Sequence, residues 1–507
     1  MTTLASEVAA FRLLGNIFGT SNIVWTSIIG LILLYLAVGY FIGGRWADRS
    51  PKVTTFFSIM AWGAFTTGLI PFFSRPVLLQ ASRTLAALNA PATAGAFLGT
   101  MLLFAVPVTL LGCLSPFAIR LLISEPSKSG ETSGKVYALS TCGSLLGSFL
   151  PILVVIPLIG TRLTYIFFAG VLLLIAITGL WVSSRTMALR HLWMLAALLG
   201  LGLFASRGNL RPVAGLIFEH ESPYNLIQVV ERKDTRYLLL NEGQGVHSIY
   251  NPNTIKSSGT WDYYLTAPFF NSPPFLPSDV HNAAIIGLAA GTISRQYTEV
   301  YGEIPITGIE IDGDIITAGR RYFAMQQNNL HVIEADGRVA LANLTDKFSV
   351  IAVDAYRLPY IPWHMTTQEF FNEARLHLQE RGVLAINVGR TPNDRRLVDA
   401  LSATLLTVFP SVHVIDVPDT FNTILIATLQ HSTPNNLIDN LNNLPGDAHP
   451  LLRSAMQTGA KNLRPTNATG PIFTDDQAPV EQLTNSILLR YILEGSSNAL
   501  SDNTTSS

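Results

Sequence analysis

One glycine-containing turn and three carboxylates follow successive apolar runs in the second half of this chain, and together they can do chemistry. The turn is Ile286-Gly287-Leu-Ala-Ala-Gly291-Thr292. Gly287 permits the tight bend, and Gly291 permits close approach of a ligand or of the packed helix. Gly308-Ile-Glu310-Ile-Asp312 puts an acid at the end of the next apolar run, where a carboxylate can accept both hydroxyl protons of a ribose. Asp312 suits the cap of the following helix. In Glu334-Ala-Asp336-Gly337, Asp336 either accepts from the exocyclic amine of an adenine or N-caps the next helix. In Val353-Asp354-Ala-Tyr356-Arg357 a carboxylate ends an apolar run, which is costly unless it has a partner or a task. Asp354 is therefore the candidate for a reacting or substrate-positioning group. The order of turn, acid, acid and acid fits a nucleoside cofactor such as an S-adenosyl sulfonium. A dinucleotide fits less well, because its pyrophosphate calls for the full glycine-rich fingerprint.

The elements that must hold these groups are legible as a strand–helix alternation after Pro277. Expected strands are 283–287, 305–311, 330–334, 348–354 and 382–388, with helices near 292–301, 313–323, 337–345, 367–379 and 393–407. Runs such as Ser349-Val-Ile-Ala-Val353 are continuously apolar after their first residue, as burial on both faces of a parallel sheet requires. Strands at 411–416 and 422–428 are expected to close the sheet as an antiparallel edge. Chemistry belongs at the carboxyl ends of such strands. This region, 277–495, reads as a Rossmann-like nucleoside-binding domain. It is preceded by a β-rich piece at 211–276, where Leu226–Glu231 and Thr235–Leu240 form a hairpin pattern. The Ser/Asn/Thr-rich tail 496–507 is expected to be disordered.

The first 210 residues are of another kind. Only 13% of the 507 residues are charged, against about 25% in soluble domains, and the mean hydropathy is +0.35. Residues 1–218 carry 14 Lys and Arg against four acids, whereas 219–507 carry 19 against 30. Apolar runs long enough to cross a bilayer, about 20 residues each, lie at 23–44, 53–73, 96–118, 136–158 and 163–183. A run at 192–206 is shorter, and so is 4–18, which reads as an interfacial helix or the tail of a span. Loops 45–52, 119–135 and 184–191 hold eight Lys and Arg, and the opposite loops 74–95 and 159–162 hold three. The positive-inside rule places the first set in the cytoplasm. The soluble half then lies inside if 192–206 does not cross, and outside if it does. Gly143, Ser144 and Gly147 read as close helix packing rather than a transport path. A polytopic membrane protein is expected, with the lipid bilayer as a partner.

Other classes are excluded or reduced. A net charge of −1 supplies no basic field for nucleic acid. Two cysteines and ten scattered histidines make neither a disulfide framework nor a metal site, so no metal is expected. Thr366-Thr-Gln-Glu369 reads as a capping box, and Thr474-x-x-Gln477 suits the same cap.

These residues resemble the spermidine synthase (polyamine aminopropyltransferase) family, specifically its membrane-fused bacterial members. Besides the turn and the three acids, the resemblance rests on Glu221-Ser-Pro-Tyr224, Leu238-Leu-Leu240 and Thr367-Gln-Glu-Phe-Phe371. In the first half it rests on Phe18-Gly-Thr-Ser21, Gly43-Gly-Arg-Trp-Ala-Asp48 and Ala138-Leu-Ser-Thr141, and near the end on Thr474-Asp-Asp-Gln-Ala-Pro-Val-Glu481. The resemblance implies a fold of the class I methyltransferase type. It also implies aminopropyl transfer from decarboxylated S-adenosylmethionine to an amine such as putrescine, releasing methylthioadenosine. It assigns Gly287, Gly291 and Gly337 to cofactor binding, Glu310 to the ribose, Asp336 to the adenine and Asp354 to the attacking amine. It suggests Tyr224, His247, Asp262 and Tyr356 for the substrate, with Trp261-Asp-Tyr263 standing for the family's tyrosine-histidine-glutamate run and His247 for a glutamine. Arg357 stands where the family has a second acid, and it would repel one end of a dication by like charge. Three functions follow from these residues. They are a membrane-anchored aminopropyltransferase, an S-adenosylmethionine-dependent transferase with another acceptor, and a non-catalytic nucleoside or polyamine sensor or transporter module. A homodimer is compatible with each. Donor supply favours the cytoplasmic side.

Overall fold

The computed structural model describes residues 1–18, 22–87, 92–123, 129–205, 213–241, 245–356 and 359–491. Arg357 and the 496–507 tail, both singled out from the sequence, lie outside the described residues. The chain forms two compact units, one of 1–212 with 219–226 and one of 213–218 with 227–507.

The first unit is helical: α1 (Thr2–Phe18), α2 (Asn22–Arg49), α3 (Val53–Ala87), α4 (Ala92–Gly112), α5 (Leu114–Leu122), α6 (Ser129–Leu150), α7 (Ile156–Ser183) and α8 (Arg185–Ala205). Among the described residues five stretches are long and apolar enough to cross a membrane: Val24–Arg49, Val53–Ser74, Gly95–Leu122, Ser129–Ser183 and Arg185–Leu203. At 1.5 Å per residue the fourth is far longer than the roughly 30 Å of a bilayer core. Gly160 breaks it with φ 78 and ψ 168, between the expected runs 136–158 and 163–183. The 192–206 run proves longer than its apolar residues suggest. The helix begins at Arg185, and the 19-residue stretch Arg185–Leu203, with its two arginines in the first two turns, is long and apolar enough to cross. Gly147 faces the backbone of Met1, which any side chain there would strike, in keeping with packing through small residues.

After α8 the described residues form two sheets, of which residues 219–226 group with the first unit. A four-stranded one runs in order β1 (Leu216–Glu221), β2 (Leu226–Arg232), β3 (Thr235–Leu240) and β4 (Val246–Tyr250). The larger contains β5 (Ala283–Ile286), β6 (Ile306–Glu310), β7 (Leu330–Glu334), β8 (Phe348–Val353), β9 (Leu378–Gly389), β10 (Ser411–Asp416), β11 (Asn422–Thr428) and β12 (Leu463–Arg464). Its order is β12-β10-β11-β9-β8-β5-β6-β7, parallel from β9 through β7 and antiparallel on the other side. The sheet is mixed, as expected, but β10 is not its edge; the two-residue β12 lies outside it.

Both faces are buried, which is why β5 is apolar at every position and β8 at all but Ser349. Ile286, Ile351 and Val353 point into one core with Phe370, Phe371 and Leu401. Ile285, Val350 and Ala352 point into the other with Tyr264, Phe269 and Tyr297. Helices α9 (Thr292–Tyr301), α10 (Gly313–Tyr322), α11 (Gly337–Asn343), α12 (Gln368–Leu376) and α13 (Arg396–Leu406) link the strands. Two further helices, α14 (Asn435–Asn442) and α15 (Pro450–Lys461), pack with a 3-10 helix, Thr260–Phe270, in which every residue is buried. The cap of α12 is Thr367, which accepts from the Phe370 amide. This lies one residue beyond the expected box, and Glu369 bonds the Asp475 amide instead of closing it. Thr474 and Gln477 bridge each other as a turn rather than capping a helix.

Candidate functional site

The carboxyl ends of β5, β6, β7 and β8 are tied to one another by backbone hydrogen bonds. Gly287 N and Leu288 N donate to Ile309 O, Ala335 N to Glu310 O, and Asp354 N to Ile286 O, all at 2.8–3.0 Å. Gly287 has φ 85, and a Cβ there would lie 2.7 Å from the Ala355 backbone. The turn and the Asp354 segment therefore touch, and only glycine fits between them. Gly291 also has a positive φ, 86, and precedes α9 as its N-cap residue.

Each acid has a defined setting. Glu310 is buried, its Oε2 accepting from Ala289 N at 2.9 Å and its Oε1 from Asp312 N at 3.2 Å. Burial raises its pKa to about 7, against the pull of those amides. Asp312 caps α10 by accepting from Asp314 N. Asp336 does two things at once. Its Oδ1 caps α11 by accepting from Arg338 N and Val339 N, while Oδ2 lies 3.0 Å from His364 Nε2. Gly337 follows at the helix start, too close to Ile286 for any side chain.

Asp354 is gripped from two sides. Trp261 Nε1 donates to its Oδ2 at 2.8 Å and Asn387 Nδ2 to its Oδ1 at 2.9 Å. Beneath it, Tyr264 donates to Val353 O. Burial raises the Asp354 pKa to about 6, partly offset by the Asn387 and Trp261 donors. Asn387 Oδ1 is buried and has no hydrogen-bond partner among the described residues. Trp261→Phe removes a donor that favours the ionised form, so the pKa should rise further. In a pH profile of kcat/KM the acid limb of this variant should move to higher pH; an unmoved limb would show that the indole does not tune Asp354.

The remaining candidates are dispersed. Tyr356 donates to Asn387 O at 3.1 Å and so joins the Asp354 group. Asp262 accepts from Ser257 N and Oγ, Ser258 N and Gln296 Nε2, which commits it to the turn ahead of the 3-10 helix. His247 lies on β4, next to Ser248, whose hydroxyl accepts from Ala290 N in the glycine turn. Burial lowers the His247 pKa to about 4, so it is neutral at pH 7. Tyr224 is exposed and belongs to the helical unit.

Arg338, two residues after Asp336, forms a hub. Its guanidinium holds Glu373 through Nε (2.9 Å) and Nη2 (2.6 Å), and Asp475 through Nη1 (2.7 Å) and Nη2 (2.9 Å). Asp475 also accepts from Thr367 Oγ1. The Thr474–Glu481 motif thus acts as a latch between α11 and α12, a physical role that its sequence did not reveal.

The spermine/spermidine synthase domain matches residues 271–440. A probable polyamine aminopropyl transferase of Bifidobacterium longum is 33% identical over 306 residues, 55% of this chain and 66% of that protein, just short of two thirds of its length. The polyamine aminopropyltransferase of Vibrio vulnificus is 30% identical over 229 residues, covering 43% of this chain and 74% of that protein. The chain belongs to the spermine/spermidine synthase family. A solved structure of a probable spermidine synthase from Corynebacterium glutamicum is 20% identical, with a TM-score of 0.41, and covers 53% of this chain and all of the other. The residues matched to the family domain include the glycine turn, Glu310, Asp336, Asp354 and Asn387, and stop short of the Asp475 latch.

Proposed function

We propose that this member of the family is a membrane-anchored aminopropyltransferase, moving an aminopropyl group from decarboxylated S-adenosylmethionine to an amine such as putrescine. The observation that carries the reading is the Asp354 cage. A half-buried carboxylate with a pKa near 6 stands beside Asn387 Oδ1, which has no partner among the described residues. That pair can hold an amine, with Oδ1 accepting one N–H and Asp354 another. In the transfer, the amine lone pair forms a bond to the aminopropyl carbon attached to sulfur. The C–S bond breaks, its electrons neutralise the sulfonium as methylthioadenosine, and the amine proton passes to Asp354. Glu310 would hold the ribose and Asp336, oriented by its cap and by His364, the adenine. The test is calorimetry of the full chain in detergent with each sulfonium, followed by an amine panel assayed for methylthioadenosine. Product with the decarboxylated donor is expected. Binding without product from any amine would favour S-adenosylmethionine chemistry on another acceptor, and no binding of either sulfonium would favour a non-catalytic module.

We infer the side of the membrane from two observations within the helical unit. Arg185–Leu203 is long and apolar enough to cross. Glu221, which groups with that unit, accepts from Thr161 N (2.8 Å) and Oγ1 (2.7 Å) beside the Gly160 break. Loop 159–162 is on the face opposite the base-rich loops, so by the charge rule the chain after α8 emerges outside the cytoplasm. This departs from the side that donor supply favours, and a donor must then be delivered there. Alkaline phosphatase fused after Ser496 should be active; an inactive fusion with a fluorescent cytoplasmic counterpart would leave α8 uncrossed.

A further inference from the structure

Beyond the acids, the carboxyl edge of the large sheet holds a cluster of the opposite sign. Arg390 follows the end of β9, Arg395 stands at the start of α13, and Arg464 lies on β12. All three converge on Asp416, the last residue of β10. Arg390 Nε donates to Oδ1 at 3.1 Å and Arg464 Nε to Oδ2 at 3.1 Å, while Arg395 Nη1 donates to both oxygens at 2.9 and 2.8 Å. Thr423 Oγ1 also donates to Oδ1. These guanidiniums line a cavity of about 540 Å³ with Pro392, Asp399 and Asn467.

Neutralising one carboxylate takes one guanidinium. Here three are held, and the Nη groups of Arg390 and Arg464 have no protein acceptor among the described residues. The Arg390 side chain is only 11% exposed. An almost buried guanidinium with two unused amino groups is costly unless an anion reaches it. Asp416 acts as a template: it anchors each cation through Nε or one Nη and leaves the forks facing the cavity. Planar forks of this kind suit a phosphate or carboxylate bidentately. Two acids oppose the three guanidiniums on the wall, Asp399 and the template Asp416 itself. Burial raises the Asp399 pKa and Arg395 lowers it, so the wall stays net positive in either state.

We propose that this cavity is an oxyanion site, taking the phosphate or carboxylate group of a ligand distinct from the sulfonium donor. The test is calorimetric titration of the full chain, reconstituted in phosphatidylcholine vesicles, with inorganic phosphate. Saturable binding is expected, weakened at least tenfold in Arg464→Gln, whose half-exposed side chain makes unfolding improbable as the cause. Asp399→Asn should tighten binding, an effect that a purely structural ion network would not produce. A second arm adds phosphatidylglycerol. Competition with phosphate assigns the site to a lipid headgroup, and its absence assigns it to a soluble ligand. No saturable heat in the wild type, or equal affinity in Arg464→Gln and Asp399→Asn, would overturn the proposal and leave the cluster as a brace for β10.

Discussion

Asp354→Asn should lose at least about a thousandfold in turnover, within the 10² to 10⁴ range typical of a removed general base, while sulfonium affinity stays within about tenfold, roughly 1.4 kcal/mol. The substitution keeps the shape and removes the charge and the proton acceptor. The cage around it can adapt. Trp261 would still donate to the new amide oxygen. Asn387, whose Oδ1 has no partner among the described residues, can turn its amide over and accept from the new NH₂. Folding should therefore survive, and the loss should fall on kcat. The wild-type profile supplies a second readout. With a pKa near 6 the carboxylate is ionised above that pH, so kcat/KM should climb through pH 6 and level off until another group titrates. Turnover in the variant equal to wild type, in a protein that still binds the sulfonium, would remove Asp354 from the mechanism.

Why the acids were legible while their partners were not comes down to sequence distance. Strands β5, β6 and β8 declare themselves as apolar runs because both faces are covered, and an acid at the end of such a run stands out. Asn387 left a comparable trace, a polar residue in the buried run Val383-Leu-Ala-Ile-Asn387-Val388, and could have been found by the same argument. Trp261 left none. It reaches Asp354 across 93 residues from a buried 3-10 helix whose pattern has neither a period of two nor of 3.6. The Arg338–Asp475 pair spans 137 residues, and no local pattern records it. The α8 length was misjudged for a physical reason too: counting from the first uninterrupted apolar residue ignores arginines that a helix end tolerates. Packing helix α14 went unread because half of its eight residues are Asn, a poor helix former.

Glu310→Gln should weaken nucleoside binding by about 10²-fold, near 3 kcal/mol, because hydrogen bonds to a charged acceptor are worth about 1.5–3 kcal/mol each. Each carboxylate oxygen of Glu310 already takes one backbone amide, and each retains a lone-pair direction for a ribose hydroxyl. Glutamine keeps one acceptor, loses the charge and turns the other oxygen into a donor facing an amide. The informative probe is methylthioadenosine, a neutral nucleoside, so that no titration of the ligand cation enters. Burial holds Glu310 near pKa 7 in the free protein. A ribose diol donates to the ionised form, so binding must draw the pKa downward. Wild-type affinity should then rise as pH climbs through 7 and flatten above it, whereas the glutamine variant should be flat across the same range. A wild-type affinity that ignores pH, or a variant that binds as tightly, would mean that the ribose is held elsewhere and that Glu310 serves only to brace the Gly287 turn through Ala289.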